Sequence, residues 1–386
     1  MTTQSNSRSV VRRSMLGALP ALAALSACRS SPPSPTSPGP RATAAQPRGG
    51  TGGAAGSRQA GVDRPAQPQT HTLASVYSLP PDRDPAPALA RLGGVVLELT
   101  GKPRAVLGME AGDLTVTVGV GQRLAALARR SVPGGLELPA FAREERTERT
   151  WGGDLLVQAC ASDPVVTVLA DARLAVALEA EGASRRWSQA GFRPPGDGAV
   201  RNLLGFPDGI ENPRTPAEVE QEVWLPGPGP LAGGTVAVVR RLRIDVSGFL
   251  AQPDTRQEEA IGRRKADGAP LSGGGPLDRL DLSAKSAHGR YLVPAMAHAR
   301  RANPNATGSG RMLRRGYSYH NGPDDQGLLF VSFQRRLRTF TATQRRLDDG
   351  DDLMRFVTTT ASGAFLVLPG FDAKRPLGAG LLAGQG

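Results

Sequence analysis

Leu114-Thr115-Val116-Thr117-Val118-Gly119-Val120-Gly121-Gln122-Arg123-Leu124 is the stretch on which the fold class turns. From Leu114 to Val120 the apolar residues recur with period two, as in a strand; from Gln122 to Arg130, Leu124, Leu127 and Ala128 fall at helical spacing. A strand that runs through Gly-x-Gly into a helix is also how a dinucleotide-binding unit begins. That fingerprint wants a third glycine where Leu124 stands and an acid at the end of a second strand about 20 residues on. Neither condition is met, because the region around residue 141 is not a strand end. A doubly wound nicotinamide-binding fold is therefore rejected. Outward from this stretch, strands are expected at 154–161, 235–246, 328–333 and 364–368, and helices at 165–182 and 341–347. Strands separated by helices and joined by Pro/Gly loops, repeated in both halves, suggest two similar α+β units.

The net charge of +12 invites a nucleic-acid reading, and its distribution argues against one. Residues 1–70 hold eight arginines and the single acid Asp63, which supplies +7 and leaves +5 for the other 316 residues. A nucleic-acid binder concentrates basic charge on one face of a folded module. Here the excess sits in a leader. Its paired Arg12-Arg13 followed by the apolar run Leu16 to Leu25 resembles a twin-arginine export signal, too short to span a bilayer permanently. Leu25-Ser26-Ala27-Cys28 resembles a lipoprotein-processing box, making Cys28 a candidate lipidated terminus; the alternative is an ordinary signal cleaved near Ala27. The stretch 29–57, rich in Pro, Ser, Gly and Ala, lacks the apolar residues to fold and reads as a tether. The expected organisation is thus a signal over 1–28, a tether over 29–57, and α+β halves over 58–205 and 206–386. Beyond Cys28 only Cys160 remains, so no disulfide framework exists; its apolar strand-like setting reads as a buried structural thiol.

Four histidines, His71, His288, His298 and His320, are too few and too scattered for a His-rich metal site, and no zinc spacing occurs. One histidine suffices for a haem iron, because the porphyrin supplies four nitrogens. Four segments then follow in order: Asn202-Leu203-Leu204-Gly205-Phe206-Pro207-Asp208-Gly209-Ile210-Glu211-Asn212-Pro213, Gln257-Glu258-Glu259-Ala260-Ile261-Gly262-Arg263, Ala297-His298-Ala299-Arg300-Arg301-Ala302-Asn303-Pro304 and Leu313-Arg314-Arg315-Gly316-Tyr317-Ser318-Tyr319. The first resembles the Gly-x-x-Asp-Gly signature of the dye-decolourising (DyP-type) haem peroxidases, and the others resemble further segments of that family. Gln59-Ala60-Gly61-Val62 and 328–333 extend the likeness over about residues 58–370.

The resemblance implies a fold of two tandem ferredoxin-like units with antiparallel sheets. It implies one haem b per chain, held mainly by the C-terminal half, and homodimers or larger assemblies. It also implies a peroxidase that uses H2O2 to oxidise dyes, phenolics or similar small reductants through a high-valent iron-oxo intermediate. By the same resemblance His298 is the axial iron ligand, Asp208 the distal acid/base and Arg314 the distal cation. Arg314 is preferred to Arg315 because the family's arginine stands two residues before the glycine position, here Gly316. Carboxylate and guanidinium suit the chemistry: breaking an O–O bond heterolytically needs a proton moved from one peroxide oxygen to the other and a fixed positive charge for the departing oxygen.

Taken singly these residues are ordinary, since Pro207-Asp208-Gly209 is turn chemistry and His298 a helix-end residue. Their ordered motifs set them apart from His288 and His320, which read as loop residues. A carboxylate is expected behind the iron-ligating histidine. Asp351 and Asp352 are candidates, but the family position that carries this acid aligns with Arg355, and the partner stays unassigned. Trp151, Trp187, Trp224, Tyr317 and Tyr319 are redox-capable, although core packing explains most of them better. An aspartate base, with a usual pKa near 3.9, implies an acidic activity optimum. Two rival functions are an extracytoplasmic haem-binding lipoprotein for iron acquisition, which needs His298 but neither Asp208 nor Arg314, and a polyanion binder, which rests on charge alone.

Overall fold

The computed structural model describes residues 58–382, apart from 107, 128–131, 133–134 and 197–198. The export leader, Cys28 and the tether lie outside the described residues.

The N-terminal half runs β1 (His71–Ser78), α1 (Ala86–Gly101), β2 (Thr115–Val120), the single-turn α2 (Gln122–Ala125), β3 (Leu155–Ala161), α3 (Pro164–Glu179) and β4 (Ser184–Phe192). Its antiparallel strands lie in the order β4-β1-β3-β2. A connection carrying α4 (Pro216–Glu222) leads to β5 (Thr235–Ile244). The C-terminal half continues with α5 (Val246–Leu250), α6 (Asp254–Ile261), α7 (His298–Arg301) and α8 (Pro304–Thr307). It ends with β6 (Leu313–Arg314), β7 (Tyr317–His320), β8 (Gln326–Gln334), α9 (Leu337–Asp348), β9 (Val357–Val367) and α10 (Ala379–Leu382). β6 and β7 pair with the same edge of β8, so the order is β9-β5-β8-β7/β6 and repeats that of the first half. Both halves are ferredoxin-like, as expected. The expected 205/206 boundary falls in the connection between β4 and β5.

The halves close into one barrel. β2 pairs with β9 at Gly119↔Val367 and Val120↔Leu366, and β4 pairs with β7 at Phe192↔Ser318. The first seam is short, and a buried side chain extends it. Gln59 Nε2 donates to the carbonyls of Val118 (2.9 Å) and Leu368 (2.8 Å), while its Oε1 accepts from the Val118 N–H (2.8 Å). Strand alternation sorts the core into two layers. On β5, Val236 and Val238 face the helices, while Ala237 and Val239 join Tyr317, Val331, Phe333 and Phe365 inside the barrel. β3 is buried at every position because helices cover its outer face and the barrel its inner one. Cys160 sits there as a buried free thiol.

The glycines that mimic a dinucleotide loop serve packing. A Cβ on Gly121 would stand 1.8 Å from the Gly153 carbonyl oxygen, and one on Gly119 2.9 Å from Phe365 Cβ. The helix expected over 122–130 is shorter, ending at Ala125, and β9 begins seven residues before the expected Ala364.

Candidate active site

One long cavity lies under the C-terminal sheet, with about 1440 Å3 of free space counted out to its open mouth. Leu242 of β5, Leu328 and Phe330 of β8, Phe340 and Leu347 of α9, and Leu353 form apolar walls. His298, Asp208 and Arg314 all border it. Segments far apart in sequence are thus brought to one space.

His298 is the first residue of α7, a single turn entered through extended Ala297. The approach is tight. Gly262 ends α6 in the left-handed region (φ 94°), where a Cβ would lie 3.1 Å from Val293 Cγ1 and 3.3 Å from Ala297 Cβ. The ring is then fixed from the segment that follows α9. His298 Nδ1 lies 2.8 Å from Asp351 Oδ2, and the Asp351 side chain is fully buried. Since a carboxylate only accepts, the ring proton is assigned to Nδ1, which leaves Nε2 free for a ligand bond in the neutral imidazole. Asp351 is itself held, its Oδ1 accepting from the N–H groups of Leu353 (2.8 Å) and Met354 (3.1 Å). Arg301 donates from Nε and Nη2 to the Arg346 carbonyl, and the Asp352 N–H donates to the Met296 carbonyl. Burial alone would lower the His298 pKa; the charge and hydrogen bond of Asp351 outweigh it and raise the pKa.

Asp351 therefore fills the place that sequence comparison aligned with Arg355. Arg355 turns away and pairs with Asp352, more than half of its side chain exposed. No local spacing marks Asp351, which lies 53 residues beyond its partner. The available signal was the acid-rich end of an amphipathic helix, Asp348-Asp349-Gly350-Asp351-Asp352.

Asp208 and Arg314 meet elsewhere on the cavity wall, with Arg314 Nη2 3.1 Å from Asp208 Oδ1. Asn212 locks the two segments together. Its Nδ2 donates to the Arg314 carbonyl (2.8 Å), and its Oδ1 accepts from the Arg314 N–H (3.1 Å). Arg314 and Asp208 keep 22% and 36% of their side-chain surface, enough for a small substrate to reach both. Arg314 Nε is buried without a partner. Arg315 takes no part in this pair: it is buried and donates to the carbonyls of Val62 and Pro65. Arg263, in the second motif, binds the carbonyls of Gly268, Pro276 and Asp278 and orders the loop beneath α7.

Of the redox-capable aromatics, Trp224, Tyr317 and Tyr319 are fully buried and belong to the core. Burial raises the pKa of Tyr317 well above its ordinary value, with the neighbouring Cys160 adding to it. Trp151 and Trp187 are half-buried. His320 ends β7 and is exposed, and His71 opens β1.

Among the described residues no group of three or more His, Cys, Asp or Glu could hold a metal unaided. One imidazole nitrogen in a largely apolar cavity fits a group that brings its own equatorial nitrogens, and the orphaned Arg314 Nε fits an acceptor beside it. Fold and site together define a two-unit α+β barrel with a haem-type cavity.

Family models support this reading on both halves: Dyp-type peroxidase, N-terminal, matches residues 100–193, and Dyp-type peroxidase, C-terminal, matches residues 199–372. The chain belongs to the Dyp-type peroxidase family. It is 36% identical over 305 residues to a dye-decolorizing peroxidase of Thermobifida fusca, covering 72% of this chain and 69% of that one. A deferrochelatase of Yersinia pestis is 35% identical over 296 residues, covering 70% and 67%. The crystal structure of a DyP-type peroxidase from Streptomyces coelicolor superposes with a TM-score of 0.79 at 32% identity, covering 88% of this chain and all of that one. An oxyferrous/water complex of DtpA from Streptomyces lividans gives the same score and identity, covering 87% and 100%.

Proposed function

We propose that this chain is a haem-dependent peroxidase that uses H2O2 to oxidise dyes, phenolics or similar reductants, with His298 as the residue that would hold the haem iron, Asp208 as acid/base and Arg314 as the stabilising cation. Haem, when bound, supplies the redox centre that takes two oxidising equivalents from peroxide and returns them to reductants. The chain's residues do the rest. Asp351 keeps the proton of His298 on Nδ1 and turns the other ring nitrogen to the cavity. Asp208 takes a proton from one peroxide oxygen and delivers it to the other. Arg314, always cationic, holds the negative charge that grows on the departing oxygen.

The observation that carries this reading is the Asp208–Arg314 contact at 3.1 Å, fixed by Asn212, on the wall of the cavity that also receives His298. A protein that only carried haem would have no use for it. In haem-loaded protein, Asp208→Asn should lower kcat for peroxide-driven dye oxidation by about 10²- to 10⁴-fold. Arg314→Leu should lower it by about 10²- to 10³-fold, both variants retaining the Soret band. Unchanged turnover in both would remove Asp208 and Arg314 from their roles; no peroxide-driven turnover in the unsubstituted holoprotein, with haem transfer to an acceptor protein intact, would favour the deferrochelatase-like alternative.

The leader supports export through the twin-arginine machinery, with Cys28 as a lipid anchor outside the cytoplasmic membrane. Mass spectrometry of the mature N-terminus and fractionation of a Cys28→Ala variant test this. No helix among the described residues is long and apolar enough to cross a membrane. The family likeness supports a homodimer, which sedimentation of the holoprotein would test.

A further inference from the structure

We propose that a second cavity, behind the Asp208–Arg314 pair, binds a small aromatic anion, an aryl carboxylate or sulfonate, and so selects anionic reductants; the reductant role rests on the peroxidase reading, the anion site does not. This cavity offers about 1330 Å3 of free space counted to its mouth. It shares Asp208, Gly209, Ile210 and Arg314 with the haem cavity. Its other walls come from the segment 63–68, from Arg193 just beyond β4, from Arg214 and from Arg315.

Four guanidiniums border this cavity, Arg193, Arg214, Arg314 and Arg315, against two carboxylates, Asp63 and Asp208. Asp208 is engaged by Arg314, and Asp63 lies 3.6 Å from Arg64, whose side chain is mostly exposed. The remaining three arginines have no carboxylate at ion-pair distance among the described residues. Among the described residues the Arg214 guanidinium donates only to the carbonyls of Ile210 and Leu277, both at 2.9 Å, while its backbone N–H donates to Glu218 Oε2 (2.7 Å). Among the described residues the Arg315 guanidinium donates only to the carbonyls of Val62 (3.2 Å) and Pro65 (2.8 Å). With Arg315 just 4% exposed, its Nη2 is buried and unpartnered. The Arg193 guanidinium is half-buried, and among the described residues it has neither a hydrogen-bond nor an ion-pair partner.

Uncompensated guanidiniums out of water are costly unless a counter-charge reaches them. Burial lowers the pKa of both Arg193 and Arg315, and the charge of Arg193 lowers that of Arg315 further. Idle fork-shaped N–H donors match the paired oxygens of a carboxylate or sulfonate. Val200, Ile210, Val219 and Leu277 add apolar wall, which suits an arene better than an inorganic ion. Hydrogen peroxide, neutral and small, needs none of this.

The test uses resting holoenzyme without peroxide, titrated calorimetrically with benzenesulfonate and, separately, with neutral benzenesulfonamide. One benzenesulfonate should bind per chain, with Arg193→Gln weakening it about tenfold or more. Arg193→Lys, which keeps the charge and loses the fork, should fall between. Arg104→Gln, at an exposed arginine remote from the cavity, should change nothing. In turnover, the ratio of kcat/KM for a sulfonated dye to that for a neutral phenol should drop about tenfold in Arg193→Gln. Equal binding of the sulfonamide, indifference to both Arg193 variants, or absence of saturable binding overturns the proposal. So does a holoenzyme closed to benzenesulfonate whose Arg193→Gln variant binds haem more weakly, since the haem's own carboxylates would then fill the cavity. If benzenesulfonate binds as expected while the unsubstituted holoenzyme shows no peroxide-driven turnover, the peroxidase reading fails and the anion site stands.

Discussion

The two halves of the barrel share one strand order and differ in what crosses from their first strand to their second. In the N-terminal half the crossover is α1, sixteen residues long, which packs Leu89, Leu92, Val96 and Leu99 against the sheet and α3. In the C-terminal half the crossover spans 245–312 and is broken into α5 to α8, none longer than eight residues. Only α9, the counterpart of α3, lies along that sheet as a long helix. Where the first half keeps a helix, the second has a cavity, and the broken crossover brings His298 to its edge. The same topology is closed for stability on one side and opened for chemistry on the other.

Substitutions in the two halves should therefore separate function from stability. The largest effect is expected from His298→Ala, which should abolish the Soret band and peroxide-driven turnover yet leave the far-ultraviolet dichroism unchanged, because the ring contributes to no core cluster. An unfolded variant would show that the open half relies on this residue for its fold. Leu92→Ala, in the closed half, should cost about 2–5 kcal/mol in chemical denaturation with the haem spectrum of the surviving native protein unaltered. A spectral change there would mean that the halves are coupled across the barrel. Asp351→Asn is expected to be the mildest, weakening haem affinity about 10- to 100-fold while the chain stays folded, as read by competition with apomyoglobin.

Periodicity reaches as far into this fold as the strands and helices whose faces differ in polarity. β2 and β8 and the body of α9 are legible that way, while β3 and α3 show instead as apolar runs. β1 is not legible, because both of its faces are buried, with Ala74 on the barrel side and Ser75 on the helix side, where Asp171 of α3 satisfies its hydroxyl. β4 reads as polar, Ser-Arg-Arg-Trp-Ser-Gln, since its arginines are used for contacts across the sheet edge: Arg185 with Tyr77 and Asp171, Arg186 with Ser78. The first half of β9, Val357 to Gly363, is mostly hydroxylated or small and carries no hydrophobic alternation. At the site, Asp208, His298 and Arg314 were legible through motif order. Their common cavity was not, because it depends on a helix that the second half lacks, and Asp351 was hidden by its distance along the chain.

Gln59 carries one more implication. It is the second of the described residues, and it hydrogen-bonds to Leu368, 309 positions later, across the seam between β2 and the last strand. A contact of such sequence separation closes late, after nearer pairings have formed. While the chain is still emerging from the ribosome, the first half can assemble its own sheet, but β2 keeps an unpaired edge until β9 arrives. That edge is an invitation to wrong partners for as long as synthesis lasts. The barrel is thus completed only after the last strand has been made, with a residue at the start of the described chain serving as the clasp for its end.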